Sequence, residues 1–207
     1  FPQAGLASAV LTLYDKEKLT IQDARGVIRM DAVLLQRLSQ ITEEERELLQ
    51  GRGVDRALYA SGRAFEVDAA KMLEKGKLMS IRPHTRFAPF PRHSHNYVEI
   101  MYMCRGKTVH RIDGDALVTL EAGELLFLNR HASHAIQRAD AGDIAVNFIV
   151  LPEFFDTAFS MMDMEEENAL KEFLVGALCG KNENTSYLYF HVAEILPIQN
   201  LVENMVW

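Results

Sequence analysis

The hydrophobic pattern changes its period near Lys77, and this change constrains the fold more than any other feature. From Lys77 to Leu151, apolar residues recur at about every second position, in short runs rich in Val, Ile, Leu and aromatic residues. The runs are LMSIR, YVEIMYMC, KTVHRI, ALVTL, ELLFLN, HAIQ and DIAVNFIV. Short strands separated by Gly, Asp, Asn or Pro are typical of an all-β sandwich or barrel, which we predict for this region.

Three glycines mark the predicted turns between these strands. Asp113 followed by Gly114 favours a two-residue hairpin, because glycine accepts the positive φ that such a turn needs. Gly106 and Gly123 mark two further reversals of the chain. A meander of hairpin-linked strands is therefore expected across residues 77–151.

Residues 1–76 are predicted to form a helical or irregular N-terminal arm. Thr42 and Glu45 make a capping box, in which the hydroxyl and the carboxylate bind free amides at a helix start, and Gly51 ends that helix. A second helix is predicted around an apolar stripe made by Val33, Leu34, Leu35 and Leu38.

After Leu151 the helical period returns, so residues 152–207 are predicted to form C-terminal helices. One helix begins at Pro152, and a second runs from about Glu165 to Leu178. A third follows Pro197, and its apolar stripe consists of Ile198, Leu201, Val202, Met205 and Val206. This stripe either packs on the chain's own barrel or serves as a dimerisation element with a second copy of the chain.

Composition excludes several classes of protein. The 207 residues are 48% hydrophobic and 25% charged, which suits a globular chain with a sizeable core. A net charge of −7 without a basic run opposes direct binding to a nucleic-acid backbone. No apolar segment approaches the ~20 residues that cross a bilayer, so we expect a cytoplasmic protein without a membrane partner. Cys104 and Cys179 each lie in an apolar run and are expected to be buried free thiols.

The stretch PRHSHNYVEIMYMCRG places His93, His95 and Glu99 at odd positions, and alternate residues of an extended chain share one face. On one straight strand His95 and Glu99 would lie about 13 Å apart, so their approach requires a bend near Asn96 and Tyr97. With His134 they make a set of three imidazoles and one carboxylate, which suits a divalent metal such as Zn, Fe, Ni or Mn.

Three interpretations of this polar set are open: a bound metal, a pocket that contacts an organic effector, or a buried polar network. Met101 shares the parity of Glu99 and is counted with His93, His95, Glu99 and His134 as the predicted ligand-binding pocket.

The remaining candidates are weaker. Phe127 and Asn147 lie on later strands and could reach the pocket. His84 follows a proline and is predicted to mark a turn, and the histidines predicted to be surface or structural residues are His110, His131 and His191.

Two patches of this sequence resemble the paired motifs of the cupin superfamily, which are double-stranded β-helix (jelly-roll) barrels that hold a metal or an organic ligand. The first motif, G-x5-H-x-H-x3,4-E-x6-G, matches at His93, His95, Glu99 and Gly106, with Phe87 in place of its leading glycine. The second keeps Gly114, Gly123 and His134 in order, but Glu121 and Gln137 stand where proline and asparagine are expected.

The longer phrase HSHNYVEIMYMCRGKTVHRIDGDALVTLEAGELLFLNRHASHAI is similar to the ligand-binding part of AraC-type transcriptional regulators. That resemblance covers about residues 77–160, and ILPIQNLVENMVW is similar to the dimerisation helices that follow the barrel in the family. It implies a cupin-like β-barrel with flanking helices, a small effector such as a sugar or another polar metabolite, and a homodimer. Contact with DNA would come only from a C-terminal helix-turn-helix part that this chain lacks.

Three functions therefore compete. The resemblance favours the effector-sensing and dimerisation domain of a bacterial transcriptional regulator, which is not an enzyme. The alternative is a metal-dependent cupin enzyme, an isomerase or dioxygenase, with His93, His95, Glu99 and His134 as ligands. The third is a plain binding protein for a sugar or similar ligand without an attached DNA-binding part.

Overall fold

The computed structural model describes residues 30–156 and 186–207. Their strands are β1 (Glu66–Val67), β2 (Met79–Pro83), β3 (Phe90–His95), β4 (Val98–Arg105), β5 (Lys107–Ile112), β6 (Ala116–Glu121), β7 (Leu125–Leu128), β8 (His134–Ile136), β9 (Ile144–Val150) and β10 (Tyr187–Phe190). The helices are α1 (Ala32–Leu38), α2 (Glu43–Leu49), α3 (Ala69–Met72) and α4 (Leu196–Val206), with short 3-10 turns at Arg56–Leu58 and Pro152–Phe155.

The strands form two five-stranded sheets. The first has the order β1-β3-β8-β5-β6 and the second has the order β10-β7-β4-β9-β2. Every neighbouring pair is antiparallel except β1 with β3. The described residues thus form a mainly β, cupin-like sandwich with flanking helices, and the predicted fold class is confirmed.

All seven predicted runs coincide with strands, and the KTVHRI run has the bounds of β5. β3 is not among the seven predicted runs, because its sequence FPRHSH has no alternation of apolar residues. β1 and β10 extend the two sheets on either side of the predicted 77–151 segment. β1 has only two residues, too few for a periodic signal.

The second sheet is covered on both faces. Its inner face shares a core with the first sheet, to which Met101, Leu120 and Leu126 belong. Its outer face packs against Leu34 of α1 and Val202 and Val206 of α4. Burial on both faces explains why β4 and β9 are almost continuously apolar, whereas β5 and β6 alternate and face solvent on one side.

The turn at Asp113 and Gly114 differs from the prediction by one residue. Ile112 pairs with Ala116, so the loop has three residues rather than two. Both Asp113 and Gly114 have positive φ, at 50° and 92°. The Asp113 carboxylate accepts a hydrogen bond from the Ser133 amide at 2.9 Å, which ties this loop to the segment before β8.

Helix α2 begins at its predicted capping box, whereas the cap of α1 was not predicted. Asp31 caps α1 through its side chain, and Thr42 and Glu45 form the complete capping box of α2. Leu34 is fully buried, but Val33, which was placed on the same stripe, is 63% exposed. The buried stripe of this seven-residue helix is therefore narrower than predicted.

Glu45 also forms a buried ion pair with Arg86, which follows β2. The Arg86 guanidinium donates to both Glu45 carboxylate oxygens, at 2.7 and 2.9 Å, and to the Ser39 and Ala141 carbonyls at 3.1 and 3.2 Å. Both side chains are almost completely buried. This Glu45–Arg86 pair fastens the N-terminal helices to the sandwich.

Helix α4 packs on the chain's own sheet. Gln199 is buried, accepts a hydrogen bond from the Tyr102 hydroxyl at 2.5 Å, and donates to the Gly123 and Val192 carbonyls at 2.9 and 2.7 Å. Of the five predicted dimerisation residues, those packed against this core are Ile198, Val202 and Val206. Leu201 and Met205 remain exposed, at 61% and 41%, so the dimerisation prediction now concerns these two.

Gly123 permits the close approach of the segment before α4. It has a φ of +87°, and a Cβ there would lie 2.8 Å from the Ala193 Cα. Gly123→Ala is therefore expected to lower the free energy of unfolding by on the order of 2–3 kcal/mol, measured by urea unfolding. Gly114 also has positive φ but faces open space, so Gly114→Ala reports the backbone cost alone. Equal losses in both variants would contradict the close contact.

Other predictions for these segments have mixed outcomes. Cys104 is a buried free thiol, as predicted. The helix predicted from Pro152 is a 3-10 turn over Pro152–Phe155 in the part that the structure describes. The predicted helix from Glu165 to Leu178 and Cys179 lie outside the described residues. No described helix has the length and apolar character to span a membrane.

Candidate ligand-binding site

The sharp bend predicted between the histidines and Glu99 is present. β3 ends at His95 and β4 begins at Val98. Asn96 stabilises this bend, since its Oδ1 accepts the Ala69 amide at the start of α3 at 2.8 Å. The turn brings His95 Nε2 to 4.0 Å from Glu99 Oε2, although four residues separate them in the chain.

A third group joins them from the neighbouring strand. His134 opens β8, and its Nε2 lies 3.4 Å from Glu99 Oε2. Ligand atoms of His95, Glu99 and His134 all lie within 4.8 Å of one another, and the three side chains are buried. We call these three residues the His–Glu cluster.

Hydrogen bonds fix the chemistry of His95. Its Nδ1 donates to the Tyr97 carbonyl at 2.7 Å, because a carbonyl oxygen only accepts. In the neutral ring Nε2 then carries the lone pair, and this nitrogen faces Glu99. A backbone carbonyl behind the distal nitrogen is the usual support of a metal-binding histidine.

Several buried polar atoms around the cluster have no hydrogen-bond partner among the described residues. Glu99 Oε1 accepts from Asn147 Nδ2 at 3.0 Å, but Glu99 Oε2 and Asn147 Oδ1 are unpaired. The others are His95 Nε2, both ring nitrogens of His134 and His110 Nδ1. Buried polar groups are nearly always paired, so this concentration of unpaired atoms points to a ligand, a metal or ordered water.

Burial sets the protonation of these groups. It lowers the pKa of His95 and His110 to about 3, and the pKa of His84 and His93 to about 4, because a charged imidazole loses its hydration. It raises the pKa of Glu99 to about 7 for the same reason. The imidazoles are therefore neutral near pH 7 and can accept a metal or a hydrogen bond.

A cavity of about 50 Å³ adjoins this cluster. Glu99, Asn147 and His93 line its polar side, and Phe90, Ile136 and Ile149 line its apolar side. Arg82 and Pro83, both exposed, lie where it reaches the surface. Tyr59 and Tyr97 also line the wall, and the Tyr59 hydroxyl donates to Glu44 of α2 at 2.6 Å.

The structure separates the predicted site residues into groups. His93 lines the cavity, and its ring lies 4.2 Å from that of His134, but it stands outside the His–Glu cluster. Its Nδ1 donates to the Pro91 carbonyl at 2.9 Å. Met101 is fully buried and near Thr108, with Sδ 3.7 Å from Oγ1, and is not among the residues that line the cavity. Phe127 faces the outer core.

Sequence reasoning missed His110 and undervalued Asn147. His110 is fully buried, and its ring is parallel to that of His134 at 5.9 Å, so of its two predicted roles, surface or structural, the surface one is wrong. Parity could have found it: His110 alternates in step with Ile112 and out of step with Lys107 and Arg111. His84 is also buried and lines the cavity, whereas His131 and His191 are exposed.

Phe87 occupies the place of the first motif's leading glycine. Its φ is +71°, a conformation that favours glycine. The Phe87 amide donates to the Ala139 carbonyl at 2.8 Å, and the Arg86 guanidinium lies 5.1 Å from the ring centroid. These contacts hold a backbone conformation that the motif normally assigns to glycine.

A family model for the AraC-like ligand binding domain matches residues 80–157. The sequence of this segment is therefore similar to AraC-like ligand-binding domains. The match runs from within β2 to beyond the end of β9, and so includes His93, the His–Glu cluster and Asn147. No curated protein matches the chain.

Solved structures that resemble the chain include ToxT and a cupin protein. An apo variant of ToxT from Vibrio cholerae has 13% identity and a TM-score of 0.46, covering 65% of this chain and 48% of that one. ToxT with a bound unsaturated fatty acid has 12% identity and a TM-score of 0.44, covering 62% and 45%. A cupin protein from Bacteroides fragilis has 24% identity and a TM-score of 0.30, covering 44% and 70%. The chain therefore spans about half the length of the ToxT chains.

Proposed function

We propose that the AraC-like domain binds a small polar effector inside its barrel and thereby controls an attached DNA-binding part. The supporting observation is the cavity lined by His93, Glu99 and Asn147, beside buried polar atoms that have no partner among the described residues. Leaving such atoms unpaired costs about 1–3 kcal/mol each, so an effector that supplies partners gains affinity. The domain is a regulatory module in this proposal and not an enzyme.

Strand β4 connects the cavity with helix α4. β4 directs Glu99 into the barrel and Tyr102 to the outer face, where the Tyr102 hydroxyl meets Gln199 of α4. An effector that favours one arrangement of β4 would shift the population of α4 positions. The exposed Leu201 and Met205 would then present a homodimer contact. DNA would be bound by a C-terminal part outside these residues, in the cytoplasm.

A thermal-shift screen with sugars, polyols and small carboxylates tests the effector proposal. A compound that binds only the folded chain raises Tm, and the shift should be lost in Asn147→Leu. Gln137→Leu removes an exposed amide at the end of β8 and should keep the shift. A compound that stabilises the Asn147→Leu variant as much as the wild type would contradict binding in the barrel.

Metal binding is the second candidate, and the His–Glu cluster favours it. Two imidazoles and one carboxylate within 4.8 Å of one another suit a single Zn, Fe, Ni or Mn ion, and their unpaired atoms include one from each residue. A bound ion would act as a Lewis acid, as in the alternative of a metal-dependent cupin isomerase or dioxygenase. His95, Glu99 and His134 would hold the ion, with Tyr97 and Asn147 orienting His95 and Glu99.

Elemental analysis of protein purified without chelator tests this second candidate. A metal site predicts near-stoichiometric metal in the wild type and at least a tenfold loss of affinity in His95→Ala. His191→Ala, on an exposed histidine, is the matched control and should keep the metal. Wild-type protein that retains no metal after dialysis against Zn, Fe, Ni and Mn salts would rule the candidate out.

A further inference from the structure

Arg82 stands at the cavity mouth without a carboxylate partner among the described residues. Its one hydrogen bond there runs from Nη1 to the Met72 sulfur at 2.8 Å, a weak acceptor. The side chain is exposed, yet it lines the cavity together with Tyr59 and Tyr97. Burial raises the pKa of both tyrosine hydroxyls, and the positive charge of Arg82 partly opposes this rise. An unpaired guanidinium beside a polar cavity is suited to an anionic ligand.

The register of the second sheet aligns Arg82 with the polar interior. Arg82 on β2 lies directly opposite Asn147 on β9. Its neighbour Ile81 packs in the outer core, so Arg82 has the parity of the inner face. Asn147 in turn donates to Glu99 on β4, the next strand. A row of polar groups thus runs from the edge of the sheet inward: guanidinium, amide, carboxyl.

These groups differ in what they require from a ligand. A guanidinium binds a carboxylate through two parallel hydrogen bonds. Asn147 Oδ1 and Glu99 Oε2 are buried acceptors without donors, and a ligand hydroxyl would provide one. A cavity of about 50 Å³ has room for on the order of four water-sized groups, so it suits a ligand of a few heavy atoms better than a hexose.

We propose that the effector is a short hydroxy acid of about two or three carbons. Its carboxylate binds Arg82, and its hydroxyl donates to Asn147 Oδ1 or Glu99 Oε2. The proposal rests on the proposed function, namely that the barrel binds a polar effector. It adds the ligand class and identifies Arg82 as the residue that selects for the acid.

Calorimetric titration of the chain after dialysis against EDTA tests the ligand class. The probes are glycolate and lactate, with acetate and propionate as acids that lack the hydroxyl, and ethylene glycol and propane-1,2-diol as alcohols that lack the carboxylate. Glycolate or lactate should bind at least about tenfold more tightly than the matched acid and the matched diol, because each of those loses one polar contact.

Arg82→Gln should weaken binding of the hydroxy acid by about 10- to 100-fold, and Arg82→Lys should restore part of it, since the charge returns without the planar fork. Arg111→Gln is the matched control, because Arg111 is an exposed strand arginine whose guanidinium, among the described residues, donates only to the nearby Gly114 carbonyl. The affinity of the Arg111→Gln variant for the hydroxy acid should equal that of the wild type. Circular dichroism melts of each variant confirm that the fold is intact.

The outcomes separate this inference from the proposed function. Equal affinity in Arg82→Gln and wild type overturns the inference. If hydroxy acids do not bind but a sugar or polyol gives a thermal shift that Asn147→Leu abolishes, the ligand class is wrong and the proposed function stands. If no compound of either set binds, both are overturned.

Discussion

Replacing Glu45 with alanine is expected to lower the free energy of unfolding by about 3–5 kcal/mol. The change leaves the Arg86 guanidinium buried without its carboxylate, and a buried uncompensated charge is costly. It also removes the capping box of α2, where Glu45 accepts the Thr42 amide at 3.0 Å. Urea unfolding followed by circular dichroism measures the loss.

Glu43→Ala provides the control for this substitution. Glu43 lies on the same helix and pairs with Arg46, but both side chains are mostly exposed. Water screens such a pair, so little change is expected. The account of the Glu45–Arg86 pair would be wrong if the two alanine variants had the same stability.

Acidification from pH 6.5 toward pH 4 is expected to destabilise the chain strongly. Burial lowers the pKa of His84 and His93 from 6.5 to about 4, and the pKa of His95 and His110 from 6.5 to about 3. Between these values the unfolded chain takes up protons that the folded chain cannot, so the free energy of unfolding falls as the pH is lowered. A shift of this size corresponds to about 3 kcal/mol for one histidine at the acid end.

Glu99 acts in the opposite direction. Its pKa rises from 4.5 to about 7 on folding, so the folded chain holds a proton that the unfolded chain releases over this range, and acidification favours folding. Because one carboxyl group opposes several imidazoles, acidification still gives a net loss of stability. Urea unfolding at matched ionic strength should show it, with a shallower pH dependence in His110→Gln. Stability that is constant or higher at pH 5 than at pH 6.5 would contradict the burial of these rings.

Local patterns in the sequence were sufficient for the parts of the fold that depend on neighbours along the chain. Alternation identified β5, and the spacing of His95 and Glu99 required the bend that Asn96 supports. The capping box of Thr42 and Glu45 is local too. Each signal lies within a few residues, where propensity and geometry act directly.

Features that depend on distant partners could not be predicted in the same way. β10 pairs with β7 across more than fifty residues, and nothing in YLYF specifies that partner. The Glu45–Arg86 pair joins side chains 41 positions apart. The cavity size, and the position of Arg82 at its mouth, follow from the packing of both sheets. The hydrophobic stripe of α4 likewise did not reveal that Val202 faces the barrel while Leu201 faces solvent.

The central claim is that the barrel interior gathers neutral imidazoles around Glu99. A long-range nitrogen–proton correlation NMR spectrum of histidine-labelled protein tests it most directly, with the exposed His131 and His191 replaced by glutamine so that only buried rings contribute. At about pH 5.5 the remaining rings should all be neutral, and His95 should carry its proton on Nδ1. Protonation of several of these rings above about pH 6, or a His95 proton on Nε2, would contradict the claim.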